Sequence, residues 1–239
     1  MLVDEFANNT ESSNQTIRKV AKRPDFLLPF RQKAPTIKKA LETIYSDTDR
    51  LLEPEGLWNI LTFRGVTYGS PYAEEDLEWF NSYSEWDEYY QASKKEQLNG
   101  YFVDTCAYGP SNRVRCIDNI SLYWEERHRW TSFIRKSPKV EDMFKFLIQN
   151  RDKASASKKV FHNIGSLTAL LVCGDLVELG ILQMPTVEEW AGLIFKVRKG
   201  AVCGLQCLAL LGQTFTKEEV ISAFKTLDAF LLGNLSSED

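Results

Sequence analysis

Lys158-Lys159-Val160-Phe161-His162-Asn163-Ile164-Gly165-Ser166-Leu167-Thr168-Ala169 sets one tight turn against the start of one helix. The turn is Asn163-Ile164-Gly165, and Asn and Gly are the residues that tolerate positive φ. Ser166 stands where a helix cap belongs. A turn of this kind offers consecutive backbone N–H groups at a helix N-terminus, where unpaired amides and the helix dipole act together on an anion. Lys158 and Lys159 lie just upstream, and His162 sits beside the turn, either near a ligand or as a turn residue without a role.

Outward from this turn the chain reads as helices. On the N-terminal side, Pro138–Ile148 is amphipathic, with Val140, Met143, Phe144 and Leu147 on one face, and Arg151–Lys159 is a basic loop. On the C-terminal side, helices are expected over Ser166–Leu179, Thr186–Arg198, Ala201–Leu211 and Lys217–Leu232, the last ending at Gly233. Earlier in the chain, Thr36–Leu52 has a helical period opened by Pro35, while Leu57–Tyr68 reads as a short helix ending at Gly65 or as a strand. Trp79, Phe80, Tyr83, Trp86, Tyr89 and Tyr90 recur at helical spacing, more in keeping with a core than with a base-stacking platform. Gly100–Ile117, with Gly109-Pro110-Ser111-Asn112 inside it, is a hairpin or a loop. The expected fold is all-α, a multi-helix globular domain with a helix-hairpin-helix-like element. Residues 1–35 read as a polar tail and a basic arm, 36–233 as a single helical domain with sub-domains conceivable at 36–136 and 137–233, and 234–239 as a flexible tail.

The 239 residues carry a formal net charge of -4, so nucleic-acid contact would have to come from a local patch. One such patch is Arg127-His128-Arg129-Trp130, which is either phosphate-binding and base-stacking or a helix surface paired with Glu125 and Glu126. Arg64-Gly65, in an apolar setting, reads as a buried arginine aimed at a phosphate or carboxylate, or as a structural ion pair. Five scattered cysteines make neither a zinc site nor a disulfide framework, and Cys203 and Cys207 are expected to be small core residues. No metal site is expected. No P-loop, dinucleotide fingerprint, nucleophile elbow or His-Glu-x-x-His motif occurs. The longest apolar stretch, Leu167–Leu182, contains Asp175 and Glu178, so no membrane span is expected. The free thiols and the absence of a signal-peptide pattern lead to an expected intracellular location, cytoplasmic or nuclear.

Ile164, Gly165, Thr168 and Ala169 match the hairpin of the helix-hairpin-helix DNA glycosylase superfamily, which the chain resembles over roughly residues 140–212. Asn163 stands at that hairpin's first glycine, and Phe161-His162 replace its Leu-Pro. The resemblance implies hairpin amides that hold a DNA phosphate, with a monovalent cation as the one possible cofactor. The chain departs from the family where the catalytic Asp belongs. Glu188 and Glu189 come at a similar distance, but they open a new helix after Pro185 and there complement its dipole. A second resemblance is to the hydroxymethyluracil DNA kinases and the thymine pyrophosphorylase-like base-hypermodification proteins. These pair a divergent hairpin with an Asp on the following helix, as Gly165 and Asp175 do here. It implies that Asp175 faces the substrate; the plainer alternative is that Asp175 pairs with a buried Arg or caps a turn.

Two function classes follow. In one, the chain is a DNA-binding, base-directed protein in which Asn163, Ile164, Gly165 and Ser166 anchor a phosphate, Lys158, Lys159, Arg127 and Arg129 supply charge, and Asp175 attends an extruded base. In the other, it is a non-enzymatic helical module whose acidic, aromatic segment 74–90 meets a protein partner. No reaction is assigned.

Overall fold

A computed structural model describes residues 34–94, 100–108, 115–149 and 160–235. Among these every regular element is helical and none is a strand, so the chain is all-α. It divides into two compact units between Trp124 and Glu125.

The first unit begins with α1 (Pro35–Glu42), α2 (Thr48–Leu51) and α3 (Pro54–Leu61). Pro35 and Pro54 each open a helix, where a missing N–H costs nothing. The single period over Thr36–Leu52 resolves into two helices because Asp47 caps a new one, accepting the Asp49 and Arg50 amides. Leu57–Tyr68 is neither a strand nor a helix ending at Gly65. After Leu61 the helix widens into a π-helical segment, Thr62–Thr67, that runs straight through Gly65. Its wider turn is closed by the Tyr68 N–H donating to Phe63 O at 2.7 Å.

α4 (Pro71–Glu75) and α5 (Tyr83–Lys94) are separate, so Trp79 and Phe80 lie in the non-helical link between them. A buried side chain holds that link. Asn59 donates from Nδ2 to Phe80 O (2.9 Å) and accepts the Phe80 N–H at Oδ1 (3.2 Å), as a neighbouring strand would. Tyr72, Phe80, Trp86 and Phe102 are buried and meet ring to ring. Of the aromatic residues in segment 74–90, Phe80 and Trp86 are spent on the core and Trp79, Tyr83, Tyr89 and Tyr90 are half-buried, while its carboxylates at Glu74, Glu75, Glu78, Glu85 and Glu88 are exposed. α6 (Asn119–Glu125) is tied back to α3 by Trp58 Nε1 donating to Ile120 O.

The second unit holds α7 (Arg127–Ile134), α8 (Val140–Ile148), α9 (Ser166–Glu178), α10 (Val187–Val197), α11 (Lys199–Cys207) and α12 (Lys217–Leu235). α8 buries Val140, Met143, Phe144 and Leu147 and packs on α9, as its period predicts. α10 packs on α12 over a core of Ile194, Val202, Leu205, Leu211, Val220 and Ala223. Thr186 and Glu189 form a capping box at the start of α10, so the carboxylates after Pro185 serve the helix end. α12 continues past Gly233 rather than stopping there. Cys203 and Cys207 correct the sequence expectation: both are exposed, because α11 turns Val202 and Leu205 inward instead.

Candidate nucleic-acid interface

The hairpin turn lies between α8 and α9. Asn163 takes the left-handed conformation, with φ 62. Gly165 does not: it is the extended N-cap of α9, with φ -88. Ser166 is the first helical residue, and Gly165, as the N-cap, has no side chain to offer the helix end. The Ile164 N–H already donates to Phe161 O at 3.3 Å, so it is spent inside the turn. The amides of this segment that lack an acceptor within their own helix are those of the first turn of α9, at Ser166, Leu167 and Thr168. Among the described residues, its chain neighbours aside, no atom lies within 4 Å of where a Cβ on Gly165 would stand.

Asp175 is on the same helix, nine residues beyond Ser166 and so about 14 Å along the axis. It is 5% exposed. Burial, with the Asp175 charge adding, pushes the neighbouring Cys173 thiol up to about 12. The hairpin amides and Asp175 are thus different stations on one helix. Lys158 and Lys159, like the basic arm before residue 34, lie outside the described residues.

Arg127 and Arg129 open α7, and Arg129 is the better placed of the two. It pairs with Glu126 at 3.0 Å, one of the carboxylates the sequence offered it, and its other nitrogen donates to Gln149 Oε1 at 2.9 Å. Gln149 O accepts the Val160 N–H. Phe146, 5.9 Å from the Arg129 guanidinium, meets Phe161 of the hairpin with ring centres 5.4 Å apart. Arg129 is therefore linked to the turn through Gln149 and Phe146.

Beside this link lies a shallow groove of about 700 Å³, lined by Phe133, Phe146, Gln149, Lys136, Lys139 and Lys145, with Ser137, Pro138 and Asp142. Phe133 and Phe146, which both line it, stack on each other with ring centres 4.3 Å apart. Ser137 makes the reversal between α7 and α8 in a left-handed conformation, with φ 48, which brings the end of one helix beside the start of the next. Lys139 faces Glu189 at 4.0 Å and Lys145 pairs with Glu141 at 3.2 Å, whereas Lys136 forms no ion pair among the described residues. Sequence reasoning missed these lysines and the phenylalanine pair. The signal was present: from Arg127 to Val140 the chain carries Arg127, Arg129, Arg135, Lys136 and Lys139 and not one carboxylate. In a chain of net charge -4, that run is a local reversal of sign.

Among the described residues no group of His, Cys, Asp and Glu is arranged to hold a metal ion, and no helix is long and apolar enough to cross a membrane. No known protein-family model, no curated protein and no solved structure matches the chain.

Proposed function

We propose that the second unit binds DNA, with the α7–α8 groove and the start of α9 taking successive phosphates. The observation that carries this reading is the continuity of the groove with the hairpin, through Arg129–Gln149 and Phe146–Phe161. Lysines and a helix N-terminus neutralise phosphate, and the Phe133–Phe146 pair offers a ring edge to a base. In this reading the hairpin is a phosphate anchor, and a monovalent cation there would share the charge. The base-directed part rests on Asp175, a buried carboxylate on the helix that the anchor begins.

The test is fluorescence anisotropy of the full chain with duplex DNA, single-stranded DNA and RNA across a salt series. Salt-sensitive binding to DNA, weakened in Lys136→Glu combined with Lys139→Glu, supports the reading. DNA binding that is absent at low salt, confined to RNA, or indifferent to both reversals ends it. The second reading, a helical module for a protein partner, is favoured by the exposed carboxylates of segment 74–90. A chain that ignores nucleic acid but co-purifies with a partner lost in Glu85→Lys combined with Glu88→Lys would establish that reading instead.

A further inference from the structure

The first unit contains two arginines inside its core. Arg64, 1% exposed, lies in the π-helical segment with its guanidinium carbon 5.0 Å from the Tyr68 ring centre and 5.2 Å from that of Phe63. Arg115, 5% exposed, lies 5.1 Å from the ring centre of Tyr108. Tyr68 and Tyr108 stack in parallel at 4.9 Å, so both guanidiniums lie against one tyrosine pair. Tyr108 Oη donates to Arg64 O at 3.1 Å.

Arg115 is held from one side. Its Nε donates to Gly65 O (3.2 Å), and Nη1 donates to Tyr68 O (3.1 Å) and to Asp104 O. Its Nη2 is buried and has no acceptor among the described residues. Thr62 Oγ1, at the start of the π-helical segment that holds Arg64, is likewise buried with no partner among the described residues. A bolt between three carbonyls requires only Nε and Nη1, which leaves the second terminal nitrogen unexplained. An unsatisfied cationic donor in an interior is costly, and an anion is the partner that removes the cost. The Asp104 carboxylate acts on Arg115 only through its field, and one of its oxygens accepts the Cys106 N–H at 2.7 Å. π-helical turns also recur at functional sites.

We propose that Arg115 forms a receptor for a small oxyanion, a phosphoryl or carboxylate group accepting from the two N–H groups of Arg115 Nη2. The site is separate from the DNA-binding reading and stands without it.

The test is thermal unfolding of the full chain at constant ionic strength, with chloride replaced by inorganic phosphate in one arm and by acetate in the other. A saturable rise in melting temperature is expected in at least one arm, and that arm names the group. The rise is lost in Arg115→Gln and kept in the Lys136→Glu, Lys139→Glu chain, which separates this site from the groove. If neither anion exceeds chloride, or if Arg115→Gln responds as the parent does, the proposal falls. Should Arg115→Gln not fold, the Nε–Hε resonance of Arg115 in the parent chain decides. It moves on titration with the active anion, and a resonance that stays still refutes the receptor.

Discussion

Reversing the charge of the groove at Lys136 and Lys139 separates binding from folding. Both side chains are exposed, and among the described residues the one ion pair lost is Lys139 with Glu189 at 4.0 Å. Such a pair contributes about 0–1 kcal/mol. Lys139 is also the N-cap residue of α8, where a carboxylate faces the positive end of the helix dipole and offsets that loss. The double reversal should therefore leave stability within about 0.5 kcal/mol of the parent by urea denaturation. If each lysine neutralises one phosphate, the slope of log affinity against log salt falls by about 0.9 per contact, or about 1.8 for both. Between about 50 and 200 mM salt the parent then loses about 12-fold more affinity than the variant. The assay is anisotropy with a labelled duplex at four or more salt concentrations, beside the urea curve. Equal slopes for parent and variant, with unchanged stability, would show that these lysines touch no phosphate and would remove the groove from the interface.

Gly165→Val should fold as the parent does, because φ -88 suits any residue and the Cβ meets open space. Its branched side chain nonetheless stands over the start of α9, so DNA affinity should drop, and unchanged affinity would mean that the helix end is not an anchor. Thr186→Ala removes the hydroxyl that accepts the Glu189 N–H at 3.2 Å and should cost about 1 kcal/mol in a urea titration; no loss would mean that α10 is held by packing alone. Lys196 at 2.7 Å and Lys145 at 3.2 Å hold the Glu141 carboxyl below its ordinary range. Its contribution to stability is present above the ordinary carboxylate range and fades as pH falls through the lowered value. It is small because the group is exposed, and Glu141→Gln should slightly flatten the acid limb of a melting-temperature profile. Asp175→Asn preserves shape on α9, so under the base-directed reading it should leave DNA affinity intact while abolishing any turnover of a modified base. Equal turnover would exclude Asp175 from the chemistry.

Local signals in the sequence were sufficient for α8, α9 and α10 of the second unit. Val140, Met143, Phe144 and Leu147 repeat at the helical period, and a period states which face must leave water, whatever covers it. Thr186 and Glu189 lie within one turn, so their capping box needs nothing distant. The turn at Asn163 was also legible, because few side chains accept its conformation. What depends on distant partners was not. Gly65 looked like a helix end, but a glycine inside a packed unit does not break a helix whose neighbours Phe63 and Val66 are buried. Phe80 kept helical spacing with Trp86 while lying outside the helix, since Asn59, twenty-one residues away, holds its backbone. Cys203 and Cys207 were small enough for a core, but the side of α11 that faces α12 chose Val202 and Leu205. The groove draws on two helices and the reversal at Ser137, and Arg115 grips carbonyls 47 and 50 residues away. Sequence alone determined helices such as α8, α9 and α10, because a helix closes its hydrogen bonds within four residues. Which charges converge, and which are buried, was decided only by tertiary packing, which joins residues that no local pattern relates.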